Sequence, residues 1–154
     1  MDKDKKATLV LMVGLPFSGK TTKAKQLAKQ YNAIRLTPDE WQGRLFGHEL
    51  DGKKRIEITN IMTELAFELL SKGQNVILDI GCWLKSERDL YRNKSKELGF
   101  DFLICYCEAP HADELEKRID KRNAEDNQFI VTKEKYSGYT KKFQIPTDDE
   151  GDFI

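Results

Sequence analysis

No apolar run in this sequence of 154 residues approaches the ~20 needed to cross a bilayer, and no segment of signal-peptide type follows the charged start MDKDKK. A membrane span and a signal segment are both argued against, and the chain is expected to be cytoplasmic with no membrane partner. Net charge is missing as well, since 26 Lys and Arg balance 26 Asp and Glu. No overall field draws nucleic acid to it. There are only three cysteines, Cys82, Cys105 and Cys107, and two histidines. An odd cysteine count without framework spacing argues against a disulfide scaffold and for a reducing compartment. Neither histidine stands at ligand spacing to a cysteine, which argues against zinc. Cys105 and Cys107 flank Tyr106 in an apolar run, so both face one side of a strand as small buried hydrophobes. Repeats, linkers and low-complexity tracts are absent too. One domain over 1–154 is expected, with 1–6 and 147–154 as flexible ends unless Phe153 and Ile154 dock.

What the sequence does contain is an alternation of apolar runs with amphipathic helices, the pattern of parallel α/β architecture. Residues 7–14, 33–37, 75–81 and 101–109 read as strands. Residues 20–31, 53–72, 85–98, 111–123 and 132–143 read as helices. Thr37-Pro38-Asp39-Glu40 starts a further helix, with Thr at the cap, Pro at the first position and Glu at the third. In the helix over 53–72, Ile56, Ile61, Leu65 and Leu69 are among the apolar positions, and Gly73 suits its end. The expected fold is a doubly wound parallel sheet of four to five strands with helices on both faces.

The strongest motif is Gly14-Leu15-Pro16-Phe17-Ser18-Gly19-Lys20-Thr21, which fits G-x-x-x-x-G-K-[ST] in full and is followed by Thr22. An apolar strand precedes it and a helix follows, the context of a P-loop NTPase. Glycine lets the backbone turn so that its N–H groups point at phosphate oxygens, and the helix dipole adds to the anion site. Lys20 is expected to reach the β- and γ-phosphates, and Thr21 to offer its hydroxyl to Mg²⁺. Asp79, at the tip of the strand over 75–81, is placed to hold a magnesium-bound water. The next residue is Ile80, without the glutamate that hydrolytic motor ATPases put there. The only Asn-Lys pair, Asn93-Lys94, does not read N-K-x-D, so ATP is favoured over GTP by elimination. Asp39 follows the second strand, where it could take a proton from an attacking hydroxyl or simply suit the helix dipole. Arg88 pairs with Arg92, and Arg118 with Arg122, at i, i+4. Each pair could lie on a solvated face, but Arg122 opens RNAEDNQF, which leads into a candidate lid over 124–137.

Together, GLPFSGKTT, RLTPDEW (35–41), VILDIGCW (76–83), Glu87-Arg88-Asp89 and Lys121-Arg122-Asn123 resemble the small ATP-dependent P-loop kinases. These are related to chloramphenicol phosphotransferase, the zeta-toxin kinases and the kinase domain of polynucleotide kinase. The resemblance runs from about residue 7 to about residue 146, ending near FQIP (143–146). It implies that Lys20 binds phosphate, that Thr21 and Asp79 serve Mg²⁺, and that Asp39 is the base for a substrate hydroxyl. It also implies that Arg88 approaches the substrate or γ-phosphate and that Arg122 acts from a lid. Cys82 and Ile80 depart from the residues frequent in relatives, beside the pocket of the phosphate acceptor.

The expected activity is therefore transfer of the γ-phosphate of ATP, with Mg²⁺, to a hydroxyl of a small molecule. Trp41, Arg44 and Trp83 are candidates for the acceptor pocket, or for plain packing. Two other readings stay open. A 5′-hydroxyl polynucleotide kinase needs a basic groove that this sequence does not display. A nucleotide-dependent switch without transfer would bind ATP and retain a partner.

Overall fold

The run Thr8–Val13 (β1) is buried almost throughout, with only Thr8 half-buried. Its alternate residues serve two cores, as a strand's period of two requires. Leu9, Leu11 and Val13 point into one cluster and Val10 and Met12 into the other. A strand apolar on both faces belongs at the centre of a covered parallel sheet, and the computed structural model, which describes residues 5–49, 51–125 and 129–154, puts it there. The other strands are Ala33–Leu36 (β2), Asn75–Gly81 (β3), Asp101–Tyr106 (β4) and Asp152–Phe153 (β5). The order is β2-β3-β1-β4-β5 and every pairing is parallel.

Helix α1 (Lys20–Gln30) buries Ala24 and Leu27 against Val10, Met12, Ile77 and Cys105 on one face of the sheet. The other face carries α3 (Gly52–Ser71), which buries Ile58, Met62, Ala66, Phe67 and Leu70. Of the four apolar positions read from the sequence, Leu65 and Leu69 flank this core, whereas Ile56 and Ile61 are 63% and 57% exposed. The remaining helices are α2 (Pro38–Phe46), α4 (Lys85–Leu98), α5 (Ala112–Asn123) and α6 (Lys133–Lys142). Thr37 does precede α2, but its hydroxyl makes no capping bond.

At 147–154 the chain takes the docked alternative. Asp148–Glu150 forms a 3-10 turn closed by a capping box with Thr147. β5 then pairs with β4, and the Ile154 N–H donates to the Ile104 carbonyl at 3.0 Å. Among the described residues no helix is long and apolar enough to cross a membrane.

Candidate active site

The site forms where the chain leaves β1. The pairing of β1 with β3 slips by one residue between Met12 and Val13, so that Met12 faces Asp79 and Val13 faces Gly81. Bulges of this kind re-aim side chains near functional sites. The Gly14 N–H donates to the Gly81 carbonyl at 3.0 Å, and the Trp83 indole N–H donates back to the Gly14 carbonyl at 3.3 Å. A Cβ on Gly14 would stand 2.7 Å from the Cys107 carbonyl oxygen and 2.8 Å from Ser18 Oγ, so only glycine fits. Phe17 (φ 68°) and Gly19 (φ 83°) adopt left-handed conformations that coil the loop. Helix α1 starts at Lys20 behind Gly19, which has no side chain to satisfy the N–H groups of the first turn. Those donors, with the dipole behind them, form an anion cradle.

A cavity of about 790 Å³ opens over this cradle. Pro16, Phe17, Gly19, Lys20, Thr21 and Thr22 line it. Leu15 is instead buried beside Val131 and Tyr136, and Ser18 Oγ donates to the Leu15 carbonyl at 2.7 Å. Seven Lys and Arg against four carboxylates line the cavity, which suits a polyanion.

Two carboxylates named by the sequence border the cavity, each already engaged by an arginine that the sequence reading missed. Asp79 is buried, and its Oδ2 accepts from Arg35 Nε at 3.1 Å and lies 3.0 Å from Arg35 Nη2. Arg35 also holds Glu40 at 2.9 Å. Asp39 is paired with Arg55 of α3, whose Nη2 donates to the Ile80 carbonyl at 3.3 Å. Arg35 lies in RLTPDEW on an alternating strand, a faint signal. Arg55 has none, because its meeting with Asp39 is made by the packing of α3.

Arg122 lines the cavity with its guanidinium 5.1 Å from the Phe17 ring centroid. Its Nε is buried without a hydrogen-bond partner among the described residues. The guanidinium as a whole borders the cavity, where a bound phosphate could pair with it. Arg118 instead supports the loop, donating from Nη1 to the Phe17 carbonyl at 2.6 Å. Of the lid read over 124–137, residues 126–128 lie outside the described residues. On its far side Asn123 braces Val131 through two hydrogen bonds of 3.0 and 3.2 Å, and Thr132 caps α6.

Arg88 is a correction. It has no exposed surface and borders neither cavity. Its Nε and Nη2 donate to Glu150 at 2.6 and 3.2 Å, and Nη1 to the carbonyls of Cys82 and Trp83, both at 3.0 Å. Buried, with four of its five N–H donors engaged there, Arg88 is not free to reach a substrate. It holds the turn after β3 against the chain's end.

A second cavity of about 720 Å³ adjoins the first, and Pro16, Lys20, Asp39, Arg122 and Phe129 border both. Of the three acceptor-pocket candidates, Trp83 lines it, while Trp41 and Arg44 do not. The donor set also suits Mg²⁺. Among the described residues no cluster of three or more His, Cys, Asp or Glu could cage a metal. Thr21 and the second oxygen of Asp79 are the kind of sparse protein ligation that Mg²⁺ takes beside phosphates.

No curated protein matches this sequence. Among solved structures the fold is shared with a candidate kinase from Chloroflexus aurantiacus j-10-fl, at 19% identity and a TM-score of 0.76 over 97% of this chain and 87% of that one. It is shared with the Mycobacterium tuberculosis APS kinase CysC, solved in complex with AMPPNP and APS, at 20% identity and a TM-score of 0.64 over 93% and 85% of the two chains. A chain of the Pnkp1/Rnl/Hen1 RNA repair complex matches at 24% identity and a TM-score of 0.73, over 92% of this chain but only 45% of that one. A family model described as AAA domain matches residues 9–146. The chain belongs to that family and is built on the fold of the small P-loop kinases.

Proposed function

We propose that this protein is an ATP-dependent kinase that transfers the γ-phosphate to an alcohol group of a small molecule. One observation carries the reading: a cationic cavity over the phosphate loop meets a second cavity at Lys20, Asp39 and Arg122. A phosphoryl donor in the first and a hydroxyl in the second would face each other across those residues. The N–H groups at the start of α1 and the Lys20 ammonium would hold the phosphates. Thr21 Oγ1 and Asp79 would hold Mg²⁺, whose charge offsets that of the phosphate oxygens.

Asp39 would accept the hydroxyl proton while the acceptor oxygen bonds to the γ-phosphorus and the bond to the bridging oxygen of ADP breaks. Arg55 fixes the orientation of Asp39, so the acceptor hydroxyl must share that carboxylate with it. Arg122 borders both cavities, where its guanidinium would complement negative charge spread over the transferring oxygens. ATP is favoured over GTP because Asn93-Lys94 lies inside α4, away from any loop that could read a base. The compartment is read as the cytoplasm, where the three free cysteines stay reduced.

The test is transfer from γ-labelled ATP with Mg²⁺ to a panel of nucleosides, sugars, aminoglycosides, aryl alcohols and 5′-hydroxyl oligonucleotides. Asp39→Asn should keep nucleotide affinity and lose about 10²–10⁴-fold in transfer, the usual contribution of a general base. Lys20→Ala should weaken nucleotide binding itself. Tight ATP binding with no labelled product anywhere would favour the switch reading.

A further inference from the structure

Away from its junction with the phosphate cavity, the second cavity is walled by apolar side chains. Ile80, Cys82, Trp83 and Leu84 come from the end of β3 and the turn after it, and Val131 and Tyr139 from the segment before α6 and from α6 itself. The Trp83 ring is fixed by its N–H bond to Gly14 and lies 4.9 Å from the Tyr139 ring, centroid to centroid, at 44°. Burial pushes the Cys82 thiol up, so it stays neutral and joins the apolar wall.

Several polar groups along the walls are engaged within the protein. The Gln42 amide donates to the Asp51 carbonyl at 3.2 Å, and the Asp51 carboxylate caps α3 through Lys53 N and Lys54 N at 3.1 Å each. Arg55 is held by Asp39 and Ile80. Extra hydroxyls of a polyol lying against Ile80, Cys82, Trp83 and Val131 would lose water for apolar contact, which disfavours it there. At the rim stand Glu87 and Lys142, exposed and of opposite sign, so no basic track leads a polyanion in.

From these walls we infer that the acceptor is a ring-bearing alcohol: a small molecule whose flat, largely apolar body lies along Trp83 and Tyr139 and whose hydroxyl reaches Asp39. The chemistry rests on the kinase reading above, while the class of acceptor rests on the cavity alone. A volume of about 720 Å³ is in the range of pockets for small molecules of this kind. In the step, the acceptor oxygen bonds to the γ-phosphorus, ADP leaves with the bridging oxygen, and the hydroxyl proton passes to the Asp39 carboxylate.

The probes are 2-phenylethanol and 2-(1-naphthyl)ethanol, set against glucose and a 5′-hydroxyl oligodeoxynucleotide. Binding is read as quenching of Trp83 fluorescence in a Trp41→Phe background, and transfer separately with γ-labelled ATP and Mg²⁺. Both aryl alcohols should quench and take label, the larger ring binding more tightly. Tyr139→Ala should weaken their binding by roughly tenfold or more while changing calorimetric ATP affinity by less than about twofold. Leu84→Asp, at a wall position 38% exposed, should weaken it likewise, with an unchanged urea midpoint showing that the fold is kept. Aryl alcohols that bind but take no label would uphold the cavity assignment and overturn the kinase reading. Label on glucose or the oligonucleotide alone would uphold the kinase and overturn the ring-bearing class. Absence of quenching by either aryl alcohol would overturn that class as well.

Discussion

Cys107 shows how a residue read as inert packing acquires chemistry from its neighbours. It lies just past β4, and its N–H donates to the Val13 carbonyl at 2.8 Å. The neighbouring Cys105 thiol favours the Cys107 thiolate, and Lys20 adds to this against the opposing effect of burial, bringing the pKa down to about 7. Cys105 is in turn held protonated by Cys107 and by burial. Thiolates are the reactive form, so alkylation of Cys107 should rise with pH through about 7 while Cys82 and Cys105 stay unmodified. Peptide mass spectrometry after iodoacetamide pulses from about pH 5.5 to 9 would check this; equal labelling of all three would contradict it. The same scale marks the limits of sequence reading. Lys20 and Thr21 were legible because a contiguous motif carries them. Arg55 and Arg35 were not, since their partners lie 16 and 44 positions away. The i, i+4 pair Arg88 and Arg92 was read as a face that meets solvent or substrate. Both guanidiniums instead turn to the tail, Arg92 donating to the Glu150 carbonyl at 3.0 Å.

Elements were read with better success than contacts, because their ends carry local signals. Gly73 closes α3 at φ 80°, with its N–H on the Leu70 carbonyl at 2.9 Å and the Gln74 N–H on the Leu69 carbonyl at 3.0 Å. That is the Schellman pattern, and it needs a left-handed residue. A Cβ at Gly73 would meet nothing within 4 Å, so only backbone strain opposes a larger residue. Gly73→Ala should cost about 1–2 kcal/mol, read as a lower urea midpoint with an unchanged slope; no shift would mean the turn relaxes without strain. The stripe of α3 that enters the core was less legible. Apolar residues occupy more than one side of this 20-residue helix, and only docking onto Leu9, Leu11 and Leu78 selects Ile58, Met62, Ala66 and Leu70. Local pattern sets the period of a helix, and the sheet sets its rotation.

Across the whole molecule, the pair Arg88–Glu150 ties the chain's end to the wall of the second cavity. Both side chains are without exposed surface. Burial works against the Glu150 charge, but the Arg88 contacts and the Thr147 N–H at 2.7 Å outweigh it and hold the carboxyl below its ordinary 4.5. Glu150→Gln leaves a buried guanidinium uncompensated and should cost about 3–5 kcal/mol near neutral pH. Because the folded value lies below the unfolded one, this stabilisation is complete above about pH 4.5 and is lost as pH falls through the lower folded value. Wild type and variant should therefore converge in acid, and urea midpoints that stay parallel down to about pH 3 would refute the assignment. The same tail supplies β5, two residues that cover the outer edge of β4 beside Leu103 and Ile104. An uncovered parallel edge with such side chains is a template for strands of other molecules. A cover so short, carrying Asp152, offers little edge of its own. This small strand therefore guards against association at high concentration, and a proteolytic cut before it should increase self-association along the sheet.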